Sequence, residues 1–377
     1  MREDILSGAT IFLFSIGLGM ATVLVPLLAS SAGYSLGAVG FLIGVSAITQ
    51  IIARAGMGRL MDRFSTRSFI LVSLSLLTAS CLLLALTDTL WAFVVSQLLQ
   101  GAGRAYFFTG TQTHVIRGSR PAVSALTIMN VTNGVGLLVG PIVAGFVGGL
   151  SLTAALYVSA IISGLALPLC AFLKRYEPFV KRDRYPGERV IPLWRRPGVV
   201  ASGWMGAAAG AWRGILNSYL PVLVTAAGHS IPVAGMMTTL ANLAALGGSA
   251  AAPLVRRFGA RSSAVVGTVL AAGGVAVMVY LLSDLIWAGV FLVTSGLGAG
   301  ILQTLGPALG SQSVGPEERG RAIAMIGTFR AVSLLITPMS IGALIFVLPS
   351  AALATSIVAL LSAVPALFMR LGAVDRE

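Results

Sequence analysis

Twelve apolar runs, each about as long as a bilayer is thick, follow one another along this chain. No other feature narrows its folding options so sharply. They cover 5–30, 36–58, 68–87, 90–113, 122–148 and 150–173, then 197–226, 231–254, 262–282, 285–311, 321–346 and 350–369. A membrane-spanning helix needs roughly 20 apolar residues, and these runs supply them without interruption. A β-barrel is disfavoured, because its strands alternate apolar and polar positions and these runs do not. Composition agrees: 56% of the 377 residues are hydrophobic and 10% are charged, against about 25% charged in a soluble domain. Mean hydropathy is +0.94. Water is thereby excluded as the main solvent. The expected fold class is an all-α membrane protein of twelve transmembrane helices in two pseudo-symmetric six-helix bundles.

The loops carry the orientation. Six short connections (31–35, 88–89, 149, 227–230, 283–284, 347–349) contain no Lys or Arg. The others hold Arg59, Arg63 and Arg67, then Arg117 and Arg120, then Arg256, Arg257 and Arg261, then Arg319. Basic loops stay on the cytoplasmic side. Both termini are therefore expected in the cytoplasm, with the chain multi-pass in the cytoplasmic (inner) membrane. The net charge of +13 would suggest nucleic acid on a soluble protein. Here loop topology accounts for it, and no nucleic-acid partner is expected. Cys81 and Cys170 lie in separate apolar runs and read as buried thiols, with no disulfide framework or metal site. No cleavable signal is evident, since the first run is too long for one.

The chain divides into an N-terminal bundle (1–173), a basic cytoplasmic linker (174–196) and a C-terminal bundle (197–377). The linker holds Pro178, Pro186 and Pro192 and reads as a solvated tether, with anionic lipid headgroups as the sharper alternative. The halves repeat. Met61-Asp-Arg-Phe-Ser-Thr-Arg-Ser68 aligns with Val255-Arg-Arg-Phe-Gly-Ala-Arg-Ser262, and Gly136-Leu-Leu-Val-Gly-Pro141 with Ser333-Leu-Leu-Ile-Thr-Pro338, at nearly the same offset. Parallel internal symmetry of this kind places a binding site between the halves near the midplane.

The loop after the second run reads Gly58-Arg-Leu-Met-Asp62-Arg63-Phe-Ser-Thr-Arg67. It is similar to the G-x-L-x-D-R-x-G-R-R signature of the major facilitator superfamily, with Ser65 and Thr66 replacing a Gly and a basic residue. The resemblance extends over the whole chain. It implies a gate made of Gly58, Asp62, Arg63 and Arg67, with Arg257 and Arg261 in the weaker second copy. Gly58 would let helices approach, and Asp62 would face the positive end of the eleventh helix. A carboxylate there gains up to about 2 kcal/mol. The fifth run carries Gly136-x-x-x-Gly140-Pro141-x-x-Ala144-Gly145, which resembles the helix-bend motif of the family's antiporters. Small residues allow close packing, and Pro141 removes a backbone hydrogen bond. The motif implies export; packing alone is the plain alternative. The fourth run departs from the proton-coupled pattern R-x-x-Q-G-x-G: Gln97 takes the arginine's place, and Arg104 follows about two turns further on.

All twelve acidic residues fall in loops, helix ends or termini, whereas Arg104, Arg213 and Arg330 lie within runs. Each costs roughly 2.5–3.5 kcal/mol at a helix centre, and three cost on the order of 8–10. Arginine cannot escape by losing its proton. Lacking buried acids, these groups need a wet cavity, carbonyls, aromatic faces or an anionic ligand. Helical spacing puts Gln97, Gln100, Arg104, Phe108 and Thr111 on one face. Gly206, Gly210, Arg213 and Asn217 share another. Arg330 aligns with Asn133, one turn from Asn130, and Gln303 is mid-run in the tenth. These are the substrate-binding candidates, and the resemblance implies that the first, fourth, seventh and tenth helices line the cavity. His114 and His229 sit at helix ends and read as solvated.

No phosphate loop, metal-ligand cluster or nucleophile–base pair is present, so no enzyme activity and no cofactor are expected. The reading is a monomeric secondary transporter moving a small organic molecule, anionic or polar neutral, by alternating access. Efflux or antiport is favoured, with a proton or exchanged anion as the possible coupling ion. The runner-up is a multidrug exporter of cationic or neutral amphiphiles. A non-transporting membrane receptor or assembly factor is the rival of another class.

Overall fold

Each apolar run holds one long helix, because a helix satisfies every backbone hydrogen bond within its own segment. The computed structural model describes residues 2–118, 122–178, 193–250, 257–315 and 318–367. Six helices come first: α1 (Arg2–Ser31), α2 (Leu36–Met61), α3 (Thr66–Leu86), α4 (Leu90–Ile116), α5 (Ala122–Leu150) and α6 (Leu152–Ala171). Six more follow: α7 (Pro197–Ala226), α8 (Ile231–Gly248), α9 (Ala260–Met278), α10 (Leu285–Gln312), α11 (Arg319–Ile345) and α12 (Ala351–Leu367). No strand occurs among the described residues. Nine of these helices are long and apolar enough, by length and composition, to cross a bilayer. Of the other three, α4 and α7 carry Gln97, Gln100, Arg104, Arg213 and Asn217, and α12 is short. The protein is a multi-pass membrane protein, and α4 and α7 carry polar and charged side chains within their spans.

Local chemistry places the ends. Gly33 and Gly228, at φ 87° and 91°, follow α1 and α7. There Tyr34 N–H reaches back to Ala29 O and His229 N–H to Val224 O. This six-to-one closure needs a left-handed residue, which glycine adopts without a Cβ penalty. The aligned positions Ser65 and Gly259 start α3 and α9 differently. Ser65 lies at φ −69° and accepts the Ser68 N–H through its hydroxyl. Gly259 lies at φ 79° and has no side chain to cap with. Thus the first copy has a side-chain cap where the second has a glycine.

The chain forms two compact units. The first holds α1, α3–α6, α2 from Val45 onward, and Ser230–Thr239 at the start of α8. Within it α1 packs on α5 and α6, and α3 on α4 and α6. The second holds Ser35–Gly44 of α2, α7, α8 from Leu240 onward, and α9–α12. Within it α7 packs on α11 and α12, and α9 on α10 and α12. These pairs repeat at an offset of six helices, the pattern that the sequence repeat requires. The linker stretch 179–192, with Arg189, lies outside the described residues.

Glycine faces draw the helices together. A Cβ at Gly136 would lie 2.5 Å from Ser15 Cβ, and one at Gly140 would lie 2.4 Å from Ile16 O, both on α1. On α7, Cβ atoms at Gly206 and Gly210 would come 2.9 Å from Ile326 Cγ2 and 2.6 Å from Arg330 O of α11. Lipid tails offer no hydrophobic drive for helix pairing, so close backbone approach supplies it through van der Waals contact.

Candidate functional site

The first unit builds its polar cluster on α4. Gln97 and Gln100 are each 1% exposed. Gln100 Nε2 donates to Ser80 Oγ of α3 at 2.8 Å, and the Ser80 and Ser96 hydroxyls lie 2.9 Å apart. Arg104 Nη2 donates to Gln100 Oε1 at 3.3 Å. Two donors remain: Arg104 Nε and Gln97 Nε2 are buried with no hydrogen-bond partner. A buried donor without an acceptor costs about 1–3 kcal/mol, more for a charged group. Phe108 is half-buried and meets Phe107 edge-on, and Phe107 stacks on Phe14 of α1 at 3.5 Å. On α5, Asn133 Oδ1 accepts from Ser15 Oγ at 2.8 Å, while Asn130 is exposed.

The second unit holds its own set. Arg213 is half-buried and donates to Asn242 Oδ1 of α8. Its guanidinium also lies 5.2 Å from the Trp212 ring centroid. That indole is buried and donates from Nε1 to Ser295 Oγ at 3.1 Å. Asn217 is half-buried one turn further along α7. Arg330 is seated at the α7–α11 seam, its Cγ and backbone facing the bare Cα of Gly210. Gln303 Nε2 of α10 is a third buried donor with no partner.

The motif residues are placed as follows. Gly58 lies inside α2 near its end, and Asp62 and Arg63 are exposed in the turn after it. Arg67 Nη1 donates to Leu173 O at 3.3 Å. Arg257 is exposed just before α9, and Arg261 is exposed in its first turn. Pro141 sits within an unbroken α5. Gly136 and Gly140 pack on α1, and Gly145 meets Gly235 and Pro232 at the start of α8.

One expectation is corrected. His114 is not solvated: it is 2% exposed. Its Nε2 lies 2.8 Å from Glu3 Oε1 and its Nδ1 3.0 Å from Thr66 Oγ1. A helix-end position cannot reveal that the start of α1 folds over it. Two further polar partners escaped the sequence reasoning. Asn242 could have been found as the lone amide facing the apolar run of α8 beside Thr238. Ser80 carried no signal, because serine is common in such helices.

The Major Facilitator Superfamily profile matches residues 8–338 and 204–373. The chain is 24% identical over 357 residues to the tetracycline resistance protein, class C, of Escherichia coli, covering 89% of this chain and 87% of that protein. It is 27% identical over 138 residues to multidrug resistance protein 1 of Bacillus subtilis, 36% of each chain. Among solved structures, the peptide transporter POT in complex with sulfate superposes with a TM-score of 0.81 at 14% identity, over 100% of this chain and 96% of that one.

Proposed function

The chain belongs to the major facilitator superfamily, and from that footing we propose a secondary transporter that exports a small organic molecule, anionic or polar neutral, by alternating access. The observation that carries this reading is the unbalanced set of buried donors. Arg104 Nε, Gln97 Nε2 and Gln303 Nε2 lack acceptors, and among the described residues no acidic side chain falls in the middle of a helix. A carboxylate, phosphate or carbonyl oxygen on the substrate is the missing acceptor. An anion gains charge-assisted hydrogen bonds at Arg104 and Arg213, and a cation meets repulsion there. Arg330, Asn130, Asn133, Asn217, Gln100 and Phe108 complete the substrate-binding set. Gly58, Asp62, Arg63, Arg67, Arg257 and Arg261 are assigned to the gate, and Gly136, Gly140, Pro141 and Gly145 to the helix-bend motif. Loop charges support both termini in the cytoplasm.

A second reading is favoured by the relatives whose names specify tetracycline and multidrug resistance: a multidrug exporter of cationic or neutral amphiphiles. A binding screen with matched anionic, neutral and cationic compounds separates the two. Arg104→Gln or Arg213→Gln should weaken anionic ligands strongly and neutral ones little. Lysine should rescue only in part, since it restores the charge without the planar fork. Tight binding of a cation, unchanged by either Gln variant, overturns the anionic reading.

A further inference from the structure

One buried titratable side chain has no part in that reading. His114 lies in the last turn of α4, with both ring nitrogens engaged. Nδ1 is 3.0 Å from Thr66 Oγ1 at the start of α3, and Nε2 is 2.8 Å from Glu3 Oε1 at the start of α1. The same Glu3 oxygen accepts the Lys174 backbone N–H at 3.0 Å. The ring of Tyr176 meets the imidazole edge-on at 5.0 Å. Three helices and the segment after α6 thus converge on one imidazole.

A pocket of about 230 Å³ opens beside it. Its walls are mostly apolar, with Ile5, Ile11, Ile128 and Met129, while Glu3, Asp4, Ser7 and His114 supply polar atoms at one side. It has room for waters beside those polar groups, and the Glu3 side chain is 32% exposed. The charged and titratable neighbours are few. From α1 come Glu3 and Asp4. Arg117, at the end of α4, and Lys174 each lie 5.3 Å from the Tyr176 ring centroid. From α3 comes Arg67, whose backbone oxygen faces the Cys170 thiol of α6 at 3.9 Å. The residues of α5 in the pocket, Ala125, Ile128, Met129 and Thr132, do not titrate.

This arrangement can take up a proton without repacking. Beside a carboxylate, the neutral ring keeps its hydrogen on Nε2, and Nδ1 accepts the Thr66 hydroxyl proton. An incoming proton adds to the Nδ1 lone pair, and the Thr66 hydroxyl turns to accept it. No bond to another heavy atom breaks. Glu3 then faces a full imidazolium, and its hydrogen bond becomes charge-assisted and stronger. We propose that Glu3 and His114 form a proton-binding site, beside this pocket, whose occupancy fastens the start of α1 to the end of α4. On the transporter reading, on which this assignment of role rests, the proton is the coupling ion. It binds at a helix end, where acidic side chains lie; among the described residues none falls in the middle of a helix.

The chain has two histidines, so ring-labelled protein in nanodiscs gives two imidazole signals, told apart by His114→Gln. The His114 signal should titrate reversibly as pH falls, with a midpoint that burial holds below the ordinary imidazole value and the Glu3 carboxylate partly restores. Glu3→Gln should lower its midpoint by about one unit, a tenfold weaker proton affinity. A nitroxide at Ile5→Cys, with Cys81 and Cys170 replaced by Ala, should be slowed at low pH and freed at high pH, following the same midpoint. His114→Gln should abolish that pH response. Should His114→Gln fail to fold, the Glu3→Gln shift in both midpoints still decides. A His114 signal that stays fixed as pH falls, down to the limit of the folded protein, overturns the proposal. So does a signal that titrates while the nitroxide mobility stays constant. If no compound were ever carried by the protein, the transporter reading would fail while both readouts stood.

Discussion

Replacing Gly140 with Ala tests whether the glycine motif of α5 is a packing device with a definite geometry. The added Cβ would lie 2.4 Å from Ile16 O, 2.8 Å from Gly19 Cα and 2.9 Å from Met20 N. All three atoms are backbone of α1, so no side chain can swing aside. Reaching ordinary contact near 3.5 Å requires α1 to retreat by about 1 Å along much of its seam with α5. Overpacking of this kind costs about 1–3 kcal/mol. Ala regains about 0.5–1 kcal/mol over Gly in a helix, so a net loss of up to about 2.5 kcal/mol is expected. Gly8, on α1, is the matched control, since nothing lies within 4 Å of its added Cβ. Gly8→Ala should be neutral or stabilising by the helix term alone. Thermal unfolding of the purified protein in one detergent, followed by circular dichroism, reads the difference. For a unit of this size each kcal/mol moves Tm by roughly 2–4 °C, so Gly140→Ala should unfold several degrees below Gly8→Ala. Equal midpoints for the two variants would refute the close-approach argument and return the motif to a role in bending alone.

Asp62→Asn should impair transport in proteoliposomes more than it lowers Tm, because the side chain is exposed and has little stability to lose; unchanged transport sinks the gate assignment. Thiol labelling from outside the cell should mark Ser230→Cys and spare Arg175→Cys, and equal labelling of both would reverse the topology drawn from the loop charges. Arg196 pairs with Glu318 through two hydrogen bonds of 2.6 and 3.1 Å, both side chains about three-quarters buried. Arg196→Gln should cost about 1–3 kcal/mol, read as a lower Tm that Glu318→Gln does not deepen, and additive losses would show that the two residues act independently.

The number, length and order of the helices were legible in the sequence, because a bilayer tolerates only apolar runs of about one thickness and no open backbone. The internal repeat was legible too, and the helix pairs inside each unit recur with it. The family could be read from Gly58 to Arg67. What the sequence could not show is which side of each helix turns inward. In water an apolar stripe marks the buried face. In lipid the outer face is as apolar as the inner one, and that contrast is lost. Tertiary structure alone therefore decided that Gln100 is spent on Ser80, that Arg213 finds Asn242, and that Asn133 answers Ser15. It also decided that the first turn of α1 closes over His114. Glu3 and His114 are 111 positions apart, and no local pattern joins them. Their meeting depends on how α1, α3 and α4 pack, which is set by glycine contacts and side-chain shape along the whole length of the helices.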